Sequence, residues 1–177
     1  MIIKEIELRD FRNYESLNLQ FHNRVNIFLG DNAQGKTNIV EALYLTALGK
    51  SFRTSQDAEM IRFGSEFLKV KVQAEKNDEE LAVELVITDK GKGAKVDGVK
   101  IKKISELLDN IYTVIFSPED LKIVKEDPPA FQRFLFSFTQ SASQTHQTVF
   151  ILLISNYARS SSSSIFSKIG KQSKVAK

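Results

Sequence analysis

The sequence predicts an α/β fold of the phosphate-loop NTPase class carrying an antiparallel β-meander, and three observations lead there. Gly30-Asp31-Asn32-Ala33-Gln34-Gly35-Lys36-Thr37 fits G-x-x-x-x-G-K-[ST], between an apolar stretch and a helical pattern. Two segments of alternating apolar and polar residues precede it, and a series of hairpin-like segments fills the middle of the chain.

Ile2 to Leu8 and Leu17 to Phe21 alternate in the manner of half-buried strands, joined through Arg9 to Ser16. Val25-Asn26-Ile27-Phe28-Leu29 reads as the strand leading into the phosphate loop. A helix is expected from about Lys36, with Ile39, Val40, Leu43, Ala47 and Leu48 on an apolar face and Gly49 capping its end. Phe67 to Glu75 and Leu81 to Thr88 flank the polar turn Lys76 to Glu80, and Asp97-Gly98 signals a second hairpin. Ser105 to Asp109 suggests a short helix, and Ile111 to Phe116 a buried central strand that ends at Ser117-Pro118-Glu119-Asp120. Pro128-Pro129 then breaks the chain, and Ser, Thr and Gln accumulate up to a serine run at Ser160 to Ser164. The organisation expected is a phosphate-loop lobe with its meander over 1–127, then the start of a second lobe or an atypical Ser-rich tail over 128–177.

The chemistry of the loop is specific. Glycines allow backbone angles that a Cβ forbids, so successive N–H groups turn inward around a phosphate at the positive end of a helix dipole. Gly30, Asp31, Asn32, Ala33, Gln34, Gly35, Lys36 and Thr37, with Asn38 behind them, are the expected nucleotide-binding residues. In this reading Lys36 reaches the β- and γ-phosphates and Thr37 places its hydroxyl on Mg²⁺.

Composition narrows the alternatives. With 42% hydrophobic and 27% charged residues the 177-residue chain is an ordinary globular sequence able to build a core without staples. There are no cysteines, which excludes disulfides and thiolate metal sites. His22 and His146 have no metal-ligand spacing. The N-terminus lacks the basic and apolar regions of a secretory signal, and the longest apolar run, Val149 to Ile154, is far below the ~20 residues of a membrane span, so a cytoplasmic location is expected. A net charge of +3 is too small to choose a partner. An Asn-Lys-x-Asp base-reading motif of GTPases is absent.

Five separated segments, from residue 1 to about 135, resemble the RecF family of bacterial recombination mediators, whose head is of the ABC ATPase type that handles chromosomes. They are Leu8 to Tyr14, Gly30 to Asn38, Glu41 to Tyr44, Gly49 to Arg53, and Phe116 to Leu121. The resemblance implies an ABC ATPase-like head lobe, ATP and Mg²⁺ as cofactors, and a homodimer closed by ATP. It also implies binding to DNA at junctions of duplex and single strand, work with RecR- and RecO-type mediators in loading recombinase, and a role in SOS-linked gap repair and replication restart. The alternative is a structural head of the SMC type, for which heptad arms are expected and none occur. An apolar strand ending in paired acids and a Ser-rich signature loop, both needed for turnover in such ATPases, are not found. At most weak ATPase activity is therefore expected.

Several residues admit two readings. Arg12 either contacts the nucleotide, as the resemblance implies, or pairs with Asp10 in a turn. Glu119 and Asp120 either sense Mg²⁺ or cap a helix. Lys90, Lys92, Lys95, Lys100, Lys102 and Lys103 form a basic hairpin, with Lys92, Lys95 and Lys100 as candidate DNA contacts, or else a solvated edge. Lys168, Lys171, Lys174 and Lys177 are equally ambiguous.

Overall fold

The computed structural model describes residues 1–28, 33–108, 110–116 and 151–153. Their dominant element is a six-stranded antiparallel sheet of order β2-β1-β3-β4-β5-β6. The strands are β1 (Ile2–Phe11), β2 (Tyr14–Gln20), β3 (Phe67–Lys76), β4 (Glu79–Thr88), β5 (Gly91–Val96) and β6 (Val99–Lys100). One helix, α1 (Lys36–Leu48), lies against it. Short 3₁₀ turns occupy Asp57–Met60 and Ile104–Leu107.

Alternation decides which face is which. Ile6 and Leu8 of β1, Val70 and Val72 of β3, Val83 and Leu85 of β4 and Ala94 of β5 are all buried, as a period of two requires of a sheet covered on one side. α1 adds Ala42, Leu43, Leu45 and Ala47, and Met60, Leu107 and Ile111 close the periphery of this core. The opposite face is a ladder of charges. Glu7, Lys71, Glu84, Lys95 and Lys100 stand in cross-strand register, with ion pairs Lys71–Glu7 at 3.1 Å, Lys69–Glu84 at 2.7 Å and Lys95–Glu84 at 3.6 Å. The Lys69 hydrogen bond holds the Glu84 carboxyl below its ordinary pKa, aided by the charges of Lys69 and Lys95.

The turns follow their chemistry. Asn77 and Asp78 have φ of 54° and 65°, and Asp97 and Gly98 have φ of 50° and 79°; two consecutive left-handed residues are what a two-residue hairpin of type I′ demands. The first hairpin is tighter than expected. β1 and β2 run to within two residues of each other, leaving only Arg12 and Asn13 as the turn, with Arg12 at φ 55°.

Three expectations need correction. Residues 25–28 join no strand ladder, although Val25 to Leu29 was expected as the strand of the phosphate loop. A strand exists by pairing, and no described segment pairs with these residues; Phe28 instead packs edge-to-face on Phe21. The expected strand over 111–116 is confined to β7 (Val114–Phe116), which pairs in parallel with β8 (Ile151–Leu153). The short helix expected over 105–109 is the 3₁₀ turn Ile104–Leu107. Among the described residues no helix is long and apolar enough to cross a membrane.

Because the two faces of the sheet differ so sharply, equal truncations on them should differ in cost. Leu85→Ala, on the buried face, should lower stability by about 2–5 kcal/mol through the cavity it leaves. Lys71→Ala, in the exposed ladder, should cost about 0–1 kcal/mol. Urea unfolding followed by circular dichroism measures both.

Candidate phosphate-binding site

The site is built from the start of α1 and what packs against it. Gly35 is the N-cap, in the left-handed region at φ 93°, and it offers no side-chain cap. No acid lies in the first helical turn, so the positive end of the helix is unneutralised by its own sequence. Ala33 is left-handed too, at φ 65°. Gly35 is required for a second reason: a Cβ there would meet the Tyr14 Oη at 2.6 Å and Cζ at 2.8 Å, and the Asn13 Nδ2 at 3.0 Å. The turn between β1 and β2 is thus the wall on which the loop rests. Tyr14 also donates to the Gln34 carbonyl at 3.5 Å, and burial raises its phenol pKa.

Lys36, Thr37 and Asn38 are half-buried on the first turn of the helix. Asn38 Nδ2 donates to Asn13 Oδ1 at 2.7 Å, and Asn38 Oδ1 accepts from Arg53 Nη1 at 2.8 Å. Gly30, Asp31 and Asn32 of the loop lie outside the described residues, as do Leu29, Glu119, Asp120, His146 and the lysines of the C-terminus.

Behind this first turn sits a residue that sequence reasoning passed over. Glu41 is fully buried on α1, and its carboxylate accepts from Arg12 Nε at 3.0 Å, Arg12 Nη2 at 2.5 Å, Ser51 Oγ at 2.5 Å and Arg53 Nη1 at 3.0 Å. Burial by itself pushes the Glu41 pKa up. The hydrogen bonds from Arg12 and Ser51 and the charges of Arg12 and Arg53 together outweigh it and hold the carboxyl below the ordinary value of 4.5. The signal available in the sequence was an acid between Val40 and Ala42 on the helix; its partners 29 and 12 residues away were not readable.

Arg12 therefore does not pair with Asp10. Its guanidinium is fixed by Glu41 and by the Glu59 carbonyl, which accepts from Nη1 at 2.8 Å, whereas Asp10 takes Arg62 and Ser65. The lysines of the basic hairpin separate as well. Lys92 shares the core face with Ala94, and its ammonium is held by the Gly49 carbonyl at 2.8 Å and by Asp57 at 2.9 Å. Lys95 and Lys100 stand opposite each other on the charged face. Sheet alternation thus keeps the three candidate DNA contacts off a single surface. Beyond Ser51 and Arg53 the loop after α1 opens into a depression of about 500 Å³, in which Lys92 is neutralised by Asp57.

A family model, the AAA ATPase domain, matches residues 1–175. The chain belongs to this family. Among curated relatives, DNA replication and repair protein RecF of Bacillus cytotoxicus is 45% identical over 135 residues, 76% of this chain and 36% of the relative. The protein of the same name from Alkaliphilus oremlandii is 47% identical over 137 residues, 76% of this chain and 37% of the relative. The chain spans little more than a third of the length of these relatives. Among solved structures, the recombination mediator protein RecF-ATP in the RecFOR pathway is similar with a TM-score of 0.65 and 40% identity, over 76% of this chain and 36% of that one. The SMC head domain from Thermotoga maritima is similar with a TM-score of 0.56 over 72% of this chain and 51% of that one, but at 18% identity it speaks to the fold alone. The ABC- and SMC-head-like phosphate-loop fold and the resemblance to the RecF family are borne out.

Breaking the buried cluster from one side should be costly. Arg12→Ala leaves Glu41 without its main partner and should lower stability by about 3–5 kcal/mol at neutral pH, measured by denaturant unfolding. The pH dependence has a defined sign. A carboxyl whose pKa is depressed in the folded state contributes stability above its ordinary value of 4.5, and that contribution disappears as pH falls through the lower folded value. Glu41→Gln should therefore have a flatter stability curve than the wild type across that acid range.

Proposed function

We propose that this chain binds ATP with Mg²⁺ through its phosphate loop and serves as the nucleotide-binding lobe of a cytoplasmic RecF-type factor in recombinational DNA repair, gap repair and replication restart. The observation that carries the reading is an uncapped helix N-terminus with G-x-x-x-x-G-K-T spelled across it, seated on the Asn13-Tyr14 turn, in a chain 45–47% identical to proteins named RecF. Gly30 to Asn38 hold the phosphates, Lys36 meets the β/γ end, and Thr37 supplies the hydroxyl for Mg²⁺. Arg12, whose guanidinium is held by Glu41 and the Glu59 carbonyl, is assigned to the same nucleotide site from the turn beneath the loop. DNA at duplex and single-strand junctions, RecR- and RecO-type mediators and a second copy of the full-length protein are the partners this reading assigns. The RecF name and identity favour it over a structural SMC head, since likeness to the SMC head extends only to the fold.

Turnover by the chain alone should be slow. Phosphoryl transfer depends on charges and donors placed around the γ-phosphate, and neither a paired-acid motif after an apolar strand nor a signature loop occurs in the sequence.

Lys36→Ala should remove most of the thermal shift produced by Mg-ATP, measured against the variant's own unliganded melting temperature, because ligand stabilisation follows RT ln(1 + [L]/Kd). An undiminished shift would end the phosphate-loop assignment. In a phosphate-release assay the wild-type chain should run barely above background.

For DNA, Lys95 and Lys100 now stand apart from Lys92. Replacing Lys95 and Lys100 by Gln should make the log–log salt dependence of duplex binding shallower by roughly 0.9 per lost contact. Lys92→Gln should instead lower stability, since its ammonium ties β5 to the end of α1 and to Asp57. An unchanged slope in the double variant would move the DNA surface elsewhere.

A further inference from the structure

We infer that Glu41 is a positioning residue for nucleotide binding: its buried carboxylate fastens the β1–β2 turn and the loop after α1 to the helix, so that Asn13 and Tyr14, with Asn38 bonded to Asn13, hold the Gln34-Gly35 end of the phosphate loop in place. The inference rests on the triphosphate reading above and assigns a role within that site to a residue that does not touch the ligand.

The reach of the side chain excludes direct contact. Glu41 lies six residues beyond the N-cap Gly35, about 9 Å along the axis at 1.5 Å per residue, and it is wholly buried. What it does touch converges on the loop. Through Arg12 it fixes a turn whose left-handed φ of 55° is unfavourable for a residue with a Cβ, and the next two residues along the chain, Asn13 of the turn and Tyr14 at the start of β2, are those a Cβ on Gly35 would strike. Through Ser51 and Arg53 it fixes the loop that follows the helix, and Arg53 passes the constraint to Asn38 at 2.8 Å, which passes it back to Asn13 at 2.7 Å. The circuit Glu41, Arg53, Asn38, Asn13, Arg12, Glu41 is closed by hydrogen bonds and by one peptide bond. Three segments distant in sequence are thereby brought to one geometry at the first turn of α1.

Simple packing does not require this arrangement. An apolar side chain would fill the space without desolvating an acid and the Arg12 guanidinium, and such replacements are often neutral or stabilising. A carboxylate adds direction: bonded to both Nε and Nη2 of Arg12, it fixes the plane of the guanidinium as well as its place.

The test uses the full 177-residue chain and a fluorescent ATP analogue with Mg²⁺, titrated where circular dichroism shows each variant folded. Glu41→Gln keeps the shape and removes the charge; Ser51→Ala removes one hydroxyl bond and leaves the ion pairs. Expected are a loss of affinity of about tenfold for Glu41→Gln and about threefold for Ser51→Ala, corresponding to small changes in binding free energy. The Arg12 Nε–H resonance is expected to be shifted and slow to exchange in the wild type, through its bond to Glu41, and to move to the position of a solvated arginine in Glu41→Gln. Wild-type protein that fails to bind the analogue overturns the triphosphate reading itself. Binding by the wild type with equal affinity in folded Glu41→Gln overturns the positioning role alone. If Glu41→Gln does not fold, Ser51→Ala decides: a loss near threefold supports the role, and unchanged affinity overturns it.

Discussion

A carboxylate removed from water costs several kcal/mol unless its surroundings replace the hydration shell, and at Glu41 four donors do so at once. The rest of the site depends on that compensation. The donors come from the β1–β2 turn and from the loop after α1, so the charge is satisfied only when both segments occupy their native places. Removing Arg12 leaves the buried Glu41 charge without its main partner and not a simple gap. This makes the cluster an all-or-none joint between the sheet and the helix, a property that apolar packing, which tolerates repacking among similar volumes, does not have.

The joint sits where it matters for a phosphate ligand. A loop that binds phosphate through backbone N–H groups has few side chains of its own to hold its shape, and Gly35 in particular gives up a Cβ to reach φ 93° and to approach Tyr14. Its rigidity must be imported. The Tyr14 ring and the Asn13 and Asn38 amides supply it from outside, and they are held in turn by Arg12, Arg53 and Glu41. The far end of α1 is secured by a different device. Gly49 caps the helix at φ 66° with its N–H on the Leu45 carbonyl, and Lys92 from β5 places a cation on the Gly49 carbonyl. Both ends of one helix are therefore tied to the sheet through polar contacts, with Ala42, Leu43, Leu45 and Ala47 filling the interval.

What was legible in the sequence divides by the range of the interaction. β3, β4 and the Asp97-Gly98 hairpin follow from alternation and from turn residues a few positions apart, and these elements formed with ends shifted by no more than a few residues. The helix after the phosphate loop was legible for the same reason. The loop motif was legible because its chemistry is contained within eight residues. Arg12 was seen as a candidate, yet its partner was expected two residues away at Asp10 and lies 29 away at Glu41. Lys92 was grouped with Lys95 and Lys100 by proximity in sequence, and the pleat of β5 then set it on the opposite face. Charge clustering along a chain says nothing about direction until the strand register is known.

The same division accounts for the stretch that leads into the phosphate loop. Val25 to Phe28 has the apolar composition of a buried parallel strand, and composition of that kind predicts burial on both faces without naming the neighbours that provide it. Antiparallel hairpins bring their own partner across a two-residue turn, which joins β1 to β2 and β3 through β6, whereas β1 and β3 meet across the fold with Ile2 opposite Glu75. A parallel strand must wait for a partner delivered by a crossover, as β7 finds β8 more than thirty residues later. The β3–β6 meander is thus self-sufficient in hydrogen bonding, whereas β1 with β3 and β7 with β8 gain their order from contacts across the fold. The phosphate loop belongs to the second kind of structure and is braced by the first: the β1–β2 hairpin, closed over a two-residue turn, supplies through Arg12, Asn13 and Tyr14 the fixed surface against which Gly35 is set.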